Sequence, residues 1–193
     1  MRLDAVAIVP AGGAARRLGA QAGRGKAAVT CGGRTFLDLV CSAVSGEVSR
    51  VIVVAAPGGT LPEVSVAVDV IRDSAAGSGP LAAIRDGLVH ALAAAPPPRL
   101  AVLCSCDLPL VAPGVVRLLL ERAAAPCVRW ALPEVAGHPQ PLLSALAVDL
   151  LPDIEAFLAS GGRSLRGLAA TIAHDWPRVV ATIGADELRI GLA

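Results

Sequence analysis

Val6-Ala7-Ile8-Val9-Pro10-Ala11-Gly12-Gly13-Ala14-Ala15-Arg16-Arg17-Leu18-Gly19, with Lys26 just beyond it, is the stretch that decides the fold of this chain. The apolar run Ala5–Val9 predicts a buried strand, which breaks into small residues and then a basic cluster. Two adjacent glycines let a backbone turn sharply and bring its N–H groups close to a ligand. Arg16, Arg17 and Lys26 add positive charge beside that cradle, the combination a polyphosphate needs. Lys26 is the only lysine among 17 basic side chains, so a compact point charge stands here where every other basic position carries arginine.

The length of 193 residues suits one domain spanning 1–193, with a substantial core. Two Phe, two Trp and no Tyr make that core aliphatic and leave few platforms for stacking nucleic-acid bases. A net charge of +1 gives no nucleic-acid footprint, and no apolar run is long enough to span a membrane. Met1-Arg2-Leu3-Asp4 leads straight into a strand and does not resemble a signal peptide. Five cysteines, an odd number without a Cys-x-x-Cys, are expected to be buried, reduced thiols of a cytoplasmic protein, with Cys104 and Cys106 sharing a strand face.

Apolar runs alternate with helix-like segments. After the first strand, Thr35 is placed to N-cap a helix carrying Phe36, Leu37, Leu39, Val40 and Val44. Val51–Ala55 and Val66–Ile71 predict strands, and Pro80 opens a helix to about Ala95, stopped by Pro96-Pro97-Pro98. Leu100–Ser105 predicts a strand covered on both faces, followed by a helix over Pro113–Ala124. Val128–Leu132 and Gln140–Leu146 suggest an antiparallel hairpin. Helices are expected from Asp153 to Gly161-Gly162, over Arg163–Ala170 and from Asp186, with a last strand at Val179–Ile183. This order predicts an α/β fold: a Rossmann-like open, mostly parallel sheet with helices on both faces and ligands at the carboxyl ends of its strands.

Two phosphate motifs come close and fail. Gly25-Lys26 lacks both the first glycine and the hydroxyl of a Walker A loop. Gly77-Ser78-Gly79-Pro80-Leu81-Ala82 fits a dinucleotide fingerprint, but prolines fall where the ribose-binding acid belongs, so a nicotinamide dehydrogenase is a minor alternative. Asp107, in Cys104-Ser105-Cys106-Asp107-Leu108-Pro109, follows a buried strand; its carboxylate suits Mg²⁺, or it caps the turn before the next helix. Its coincidence with the glycine loop at one sheet edge favours the metal. Asp73, in Arg72-Asp73-Ser74, is placed either to hydrogen-bond a base or ribose or to form an Asx turn.

Together, Ala11-Gly12-Gly13…Arg17-Leu18-Gly19…Lys26, Asp73-Ser74…Gly79-Pro80-Leu81-Ala82-Ala83-Ile84, Cys106-Asp107-Leu108-Pro109, His138-Pro139 and Gly162-Arg163-Ser164-Leu165 resemble the molybdenum cofactor guanylyltransferase family, in order over nearly the whole chain. The resemblance implies a nucleotide-diphospho-sugar transferase-like fold that joins GMP from GTP to the phosphate of molybdopterin, with Mg²⁺ as cofactor and molybdoenzyme maturation proteins as partners. Carried over by position, Ala11, Gly12, Gly13 and Lys26 bind GTP, Asp73 contacts the nucleotide, Asp107 holds Mg²⁺ and Arg17 adds a phosphate contact. Gly79, Pro80, His138, Arg163 and Ser164 fall on the acceptor side; His138 has an equal claim as a structural residue, and Ser164 as a plain helix cap. Several positions depart from the family pattern. The loop Ala20–Gly25 is longer and ends in Gly25 rather than Asp, Pro10 replaces Leu, and the chain contains no asparagine, with Val54 and Thr182-Ile183-Gly184 where the family carries it. A transferase using CTP or another acceptor, and a non-catalytic nucleotide-binding homologue, therefore stand as alternatives.

Overall fold

The computed structural model describes residues 4–12, 25–74, 79–175 and 180–190. In chain order the elements are β1 (Ala5–Pro10), β2 (Thr30–Cys31), β3 (Arg34–Thr35), α1 (Phe36–Ser45), β4 (Arg50–Ala55), β5 (Asp69–Arg72) and α2 (Pro80–Leu92). There follow β6 (Leu100–Cys104), α3 (Pro113–Ala123), β7 (Trp130–Val135), β8 (His138–Pro139), β9 (Leu143–Ala147), α4 (Leu151–Ala159), α5 (Leu165–Asp175), β10 (Val180–Ile183) and α6 (Ala185–Ile190). A 3-10 turn, Lys26–Ala28, precedes β2, and another, Val148–Leu150, precedes α4.

The main sheet runs β5-β4-β1-β6-β9-β7-β10, with β8 attached to β7. Its pairings β4–β5, β1–β4, β1–β6 and β7–β10 are parallel. Along this path β9 is reversed, antiparallel to both β6 and β7, and the short β8 is likewise antiparallel to β7. The chain moves outward from β1 through β4 to β5 and then returns to β6 on the other side of β1. The β1/β6 boundary is thus a topological switch point, where a crevice opens at the carboxyl ends of the strands.

Period-two alternation divides the aliphatic core between the two faces. Ala5, Ala7 and Val9 face Val40, Val44, Val116 and Leu119 of α1 and α3. Val6 and Ile8 face Leu81, Ile84 and Leu88 of α2, with α4 and α5 completing that layer. Helix α2 lies tight against β1 at Gly87, where a Cβ would come 2.7 Å from Ile8 Cγ2. Thr35 does cap α1, its hydroxyl accepting the Asp38 N–H at 3.2 Å.

Some boundaries differ from expectation. The strand predicted over Val66–Ile71 pairs only from Asp69, because Val66 and Val68 pack on the core without entering the ladder. Helix α2 ends at Leu92 rather than Ala95, since the residue preceding a proline is pushed out of helical geometry. Helix α4 starts two residues before Asp153, with Pro152 tolerated in its first turn, and α5 continues past Ala170 because Ile172 extends its buried stripe. The hairpin of β2 and β3, turning on Gly32 and Gly33 at positive φ, was not anticipated. Of the cysteines, Cys41, Cys104 and Cys106 are buried, but Cys31 and Cys127 are exposed, correcting the expectation of five buried thiols. Cys104 ends β6, whereas Cys106 lies in the turn beyond it, and both join the same core layer.

Candidate active site

β1 and β6 deliver two loops to the switch point. Beyond β1, Ala11 donates its N–H to Val54 O at 2.8 Å and so continues the ladder for one more residue. That amide is therefore committed to the sheet, and Pro10 and Gly12, on either side of Ala11, reach the cavity wall. Beyond β6, Ser105 donates its N–H to Leu142 O at 2.8 Å and accepts at its carbonyl from Leu108 N–H at 3.1 Å. This tight turn sets Asp107 at the strand end.

Lys26 arrives from the 3-10 turn, which is anchored by the burial of Ala27 in the core. Its Nζ donates to Asp107 Oδ2 at 2.6 Å across 81 residues of sequence. Burial pushes the Asp107 carboxyl up, but hydrogen bonds from Lys26 and Ser105, with the lysine charge, outweigh this and hold it below its ordinary value. Asp107 is therefore an anion at neutral pH, in contact with the chain's only lysine.

Two cavities meet at Asp107, and Lys26 lines the smaller of them. One, of about 330 Å³, is bounded by Gly12, Lys26, Asp73, Gly79 and Asp107, among others. The other, of about 810 Å³, is bounded by Gln140, Arg163, Ser164 and Arg166 together with an apolar wall. Pro80, Ser105, Asp107 and Leu142 line both. Each volume falls in the range of small-molecule sites.

The anticipated residues divide accordingly. Gly12, Lys26, Asp73 and Asp107 share the smaller cavity, with Gly79 in its wall rather than on the acceptor side, and Pro80 at the junction. Arg163 and Ser164 line the larger one. Ser164 also accepts the Gly167 N–H at 3.2 Å, as a cap for α5, and Arg163 Nη1 donates to the carbonyls of Leu158 and Gly162 at 2.9 and 2.7 Å. His138 lines neither cavity; it is exposed on β8, and its carbonyl accepts from Gln140 Nε2 at 3.0 Å. That geometry supports the structural alternative for His138. Gly13 and Arg17 lie outside the described residues. Ser105 and Leu142 were missed. Ser105 had a signal, a polar residue at the end of an apolar strand beside Asp107, whereas Leu142 reaches the site only because β9 inserts between β6 and β7.

Residues 7–176 match the model of the MobA-like NTP transferase domain. This chain belongs to that family. It is 37% identical over 163 residues, 83% of this chain and 78% of the relative, to a Mycobacterium avium protein named "Probable molybdenum cofactor guanylyltransferase". Among solved structures it superposes on molybdopterin-guanine dinucleotide biosynthesis protein A from Archaeoglobus fulgidus with a TM-score of 0.69 at 21% identity, covering 96% of this chain and 86% of that one. The 2-C-methyl-D-erythritol 4-phosphate cytidylyltransferase of Thermus thermophilus matches with a TM-score of 0.66 at 19% identity, over 99% and 97% of the two chains. The expected α/β fold is thus the nucleotidyltransferase fold. Gly77 and Ser78 of the dinucleotide-like segment lie outside the described residues; the strand before it, β5, is an edge strand, whereas a Rossmann fingerprint follows the first strand.

Proposed function

We propose that this nucleotidyltransferase moves GMP from GTP to the phosphate of molybdopterin, releasing pyrophosphate. The observation that carries the reading is the shared wall: two cavities of ligand size meet at Asp107, one for a nucleotide, with Lys26 in its lining, and one for an acceptor. An oxygen of the acceptor phosphate forms the new bond to the α-phosphorus, and the bond from that phosphorus to the β-bridging oxygen breaks. The attacking phosphate is already anionic, so the protein supplies alignment and charge rather than a general base.

In the smaller cavity, Gly12 lets the backbone approach the triphosphate, and Lys26 balances the charge that builds on the departing pyrophosphate. Asp73, in the wall of the same cavity, contacts the nucleoside in this reading. Among the described residues no cluster of three carboxylate, histidine or cysteine groups would hold a metal unaided. A single carboxylate beside a triphosphate site does suit Mg²⁺, which takes one or two protein oxygens and completes its shell with phosphates and water. Asp107 would hold it, and the bound ion would polarise the α-phosphate. In the larger cavity the apolar wall accepts the body of the acceptor, and Arg163 lies where an anionic group would be met. Among the described residues no helix is long and apolar enough to cross a membrane, and the reading places the enzyme in the cytoplasm with small-molecule substrates.

The test is pyrophosphate release with molybdopterin, Mg²⁺ and each of the four nucleoside triphosphates. GTP is expected to be used best, and Lys26→Met to lower that rate by about 10²–10³, as for loss of one preorganised donor. Preference for CTP transfers the reading to a cytidylyltransferase, and near-normal turnover by Lys26→Met refutes the charge assignment.

A further inference from the structure

Asp73 is fixed on one flank by the sheet, its N–H donating to Ala55 O at 2.9 Å. On its other flank the ladder has ended, and the next residue is held by side chains of α2. Ser74 donates its backbone N–H to Asp86 Oδ2 at 2.8 Å. Arg85 Nη2 donates to Ser74 Oγ at 2.9 Å, and Arg85 Nε, 2.6 Å from the other oxygen of Asp86, forms an ion pair with it that lacks hydrogen-bond alignment. The Asp86 side chain is only 14% exposed, so water competes weakly for it. Neither Arg85 nor Asp86 lines either of the two cavities described above, and neither belongs to the motifs that mark the family.

This clamp has a firm base. Asp86 stands beside Gly87, where α2 lies tight against Ile8 of β1. The strand that carries Gly12 therefore sets the height of the helix that holds Ser74.

We propose that Asp86, braced by Arg85, is a positioning residue for the nucleoside end of the substrate, holding the Asp73-Ser74 backbone against the wall of the smaller cavity. The proposal rests on reading that cavity as the nucleotide site. Lys26 and Gly12 reach the cavity from other loops, so loss of the clamp disturbs recognition of base or ribose and leaves the phosphate contacts in place.

Binding calorimetry of GTP and of inorganic tripolyphosphate to wild type, Asp86→Ala and Asp86→Asn tests this. Asp86→Ala leaves the Ser74 N–H without its acceptor and is expected to weaken GTP about tenfold, with tripolyphosphate within about twofold of wild type. Asp86→Asn keeps an oxygen that accepts from Ser74 and is expected to stay within about threefold of wild type for GTP. In steady state, Asp86→Ala should raise KM for GTP and leave kcat unchanged. Equal losses for both ligands, no loss for GTP, or an Asn variant as weak as the Ala variant each overturn the proposal. A wild-type protein that binds tripolyphosphate but not GTP overturns the nucleotide reading itself, and the role of Asp86 with it.

Discussion

Replacing Asp107 by alanine should tighten GTP binding when no divalent metal is present, although it disables transfer. Lys26 Nζ sits 2.6 Å from Asp107 Oδ2, so a triphosphate that engages the amine competes with this pair. The two side chains are 36% and 35% exposed, and solvent screens the interaction to roughly 0.5–1 kcal/mol. Removing the carboxylate removes that cost and the repulsion between it and the phosphates. GTP should then bind about two- to fivefold more tightly by calorimetry in EDTA. With Mg²⁺ and acceptor present, the same variant should release pyrophosphate about 10²–10³ more slowly. The sign is also checked by pH. The Asp107 carboxyl is held below its ordinary value, so the pair is intact above the usual carboxylate range and is lost as pH falls through the lowered value. Wild-type and variant affinities for GTP should converge toward the acid side. Weaker metal-free binding by Asp107→Ala would refute the reasoning.

Gly87→Ala gains about 1 kcal/mol of helix propensity but drives a methyl to 2.7 Å from Ile8 Cγ2, a fully buried, β-branched neighbour. Overpacking should win by about 1–2 kcal/mol, read as a lower urea midpoint with unchanged m; a midpoint at or above wild type contradicts the close approach. Burial pushes the Cys41, Cys104 and Cys106 thiols up to about 12, so a thiol reagent should label only Cys31 and Cys127 in the native protein and all five cysteines after denaturation. Asp38 accepts from Arg34 Nε at 2.6 Å and from the Ser65 N–H and hydroxyl at 2.7 Å each, which holds its carboxyl well below the usual range. That stability is present above the unfolded pKa of about 4 and is lost as pH falls through the folded value, so Asp38→Asn should flatten the acid limb of urea midpoints measured from pH 7 to pH 3.

The signals that proved legible in the sequence are local ones. The β-branched run of β1, the Thr35 cap and the proline opening α2 each depend on neighbours within a few positions, and each was placed correctly. Part of the site shared this advantage, because Gly12, Asp73 and Asp107 all lie just past strand ends in a parallel sheet. What was hidden depends on tertiary geometry. The contact of Lys26 with Asp107 spans 81 positions, and nothing in either segment shows that the amine lies against the carboxylate. The commitment of Ala11's amide to Val54 follows from strand pairing rather than from the glycine motif. The reach of Leu142 depends on where β9 enters the sheet. The extra length of the supposed strand before Asp69 reflects apolar residues that pack without pairing, a distinction that hydrophobic pattern does not make.

The reversal of β9 has a consequence for how this architecture can diverge. Because it runs against its neighbours, the segment entering it meets the segment leaving β6 at one rim, through the bond from Ser105 N–H to Leu142 O. Gln140 and Pro141, in the segment entering β9, border the larger cavity alone, whereas Leu142 stands in the wall of both. Changes at the first two can therefore remodel one bank while Gly12, Lys26 and Asp73 keep their places, and a change at the third is felt on both sides.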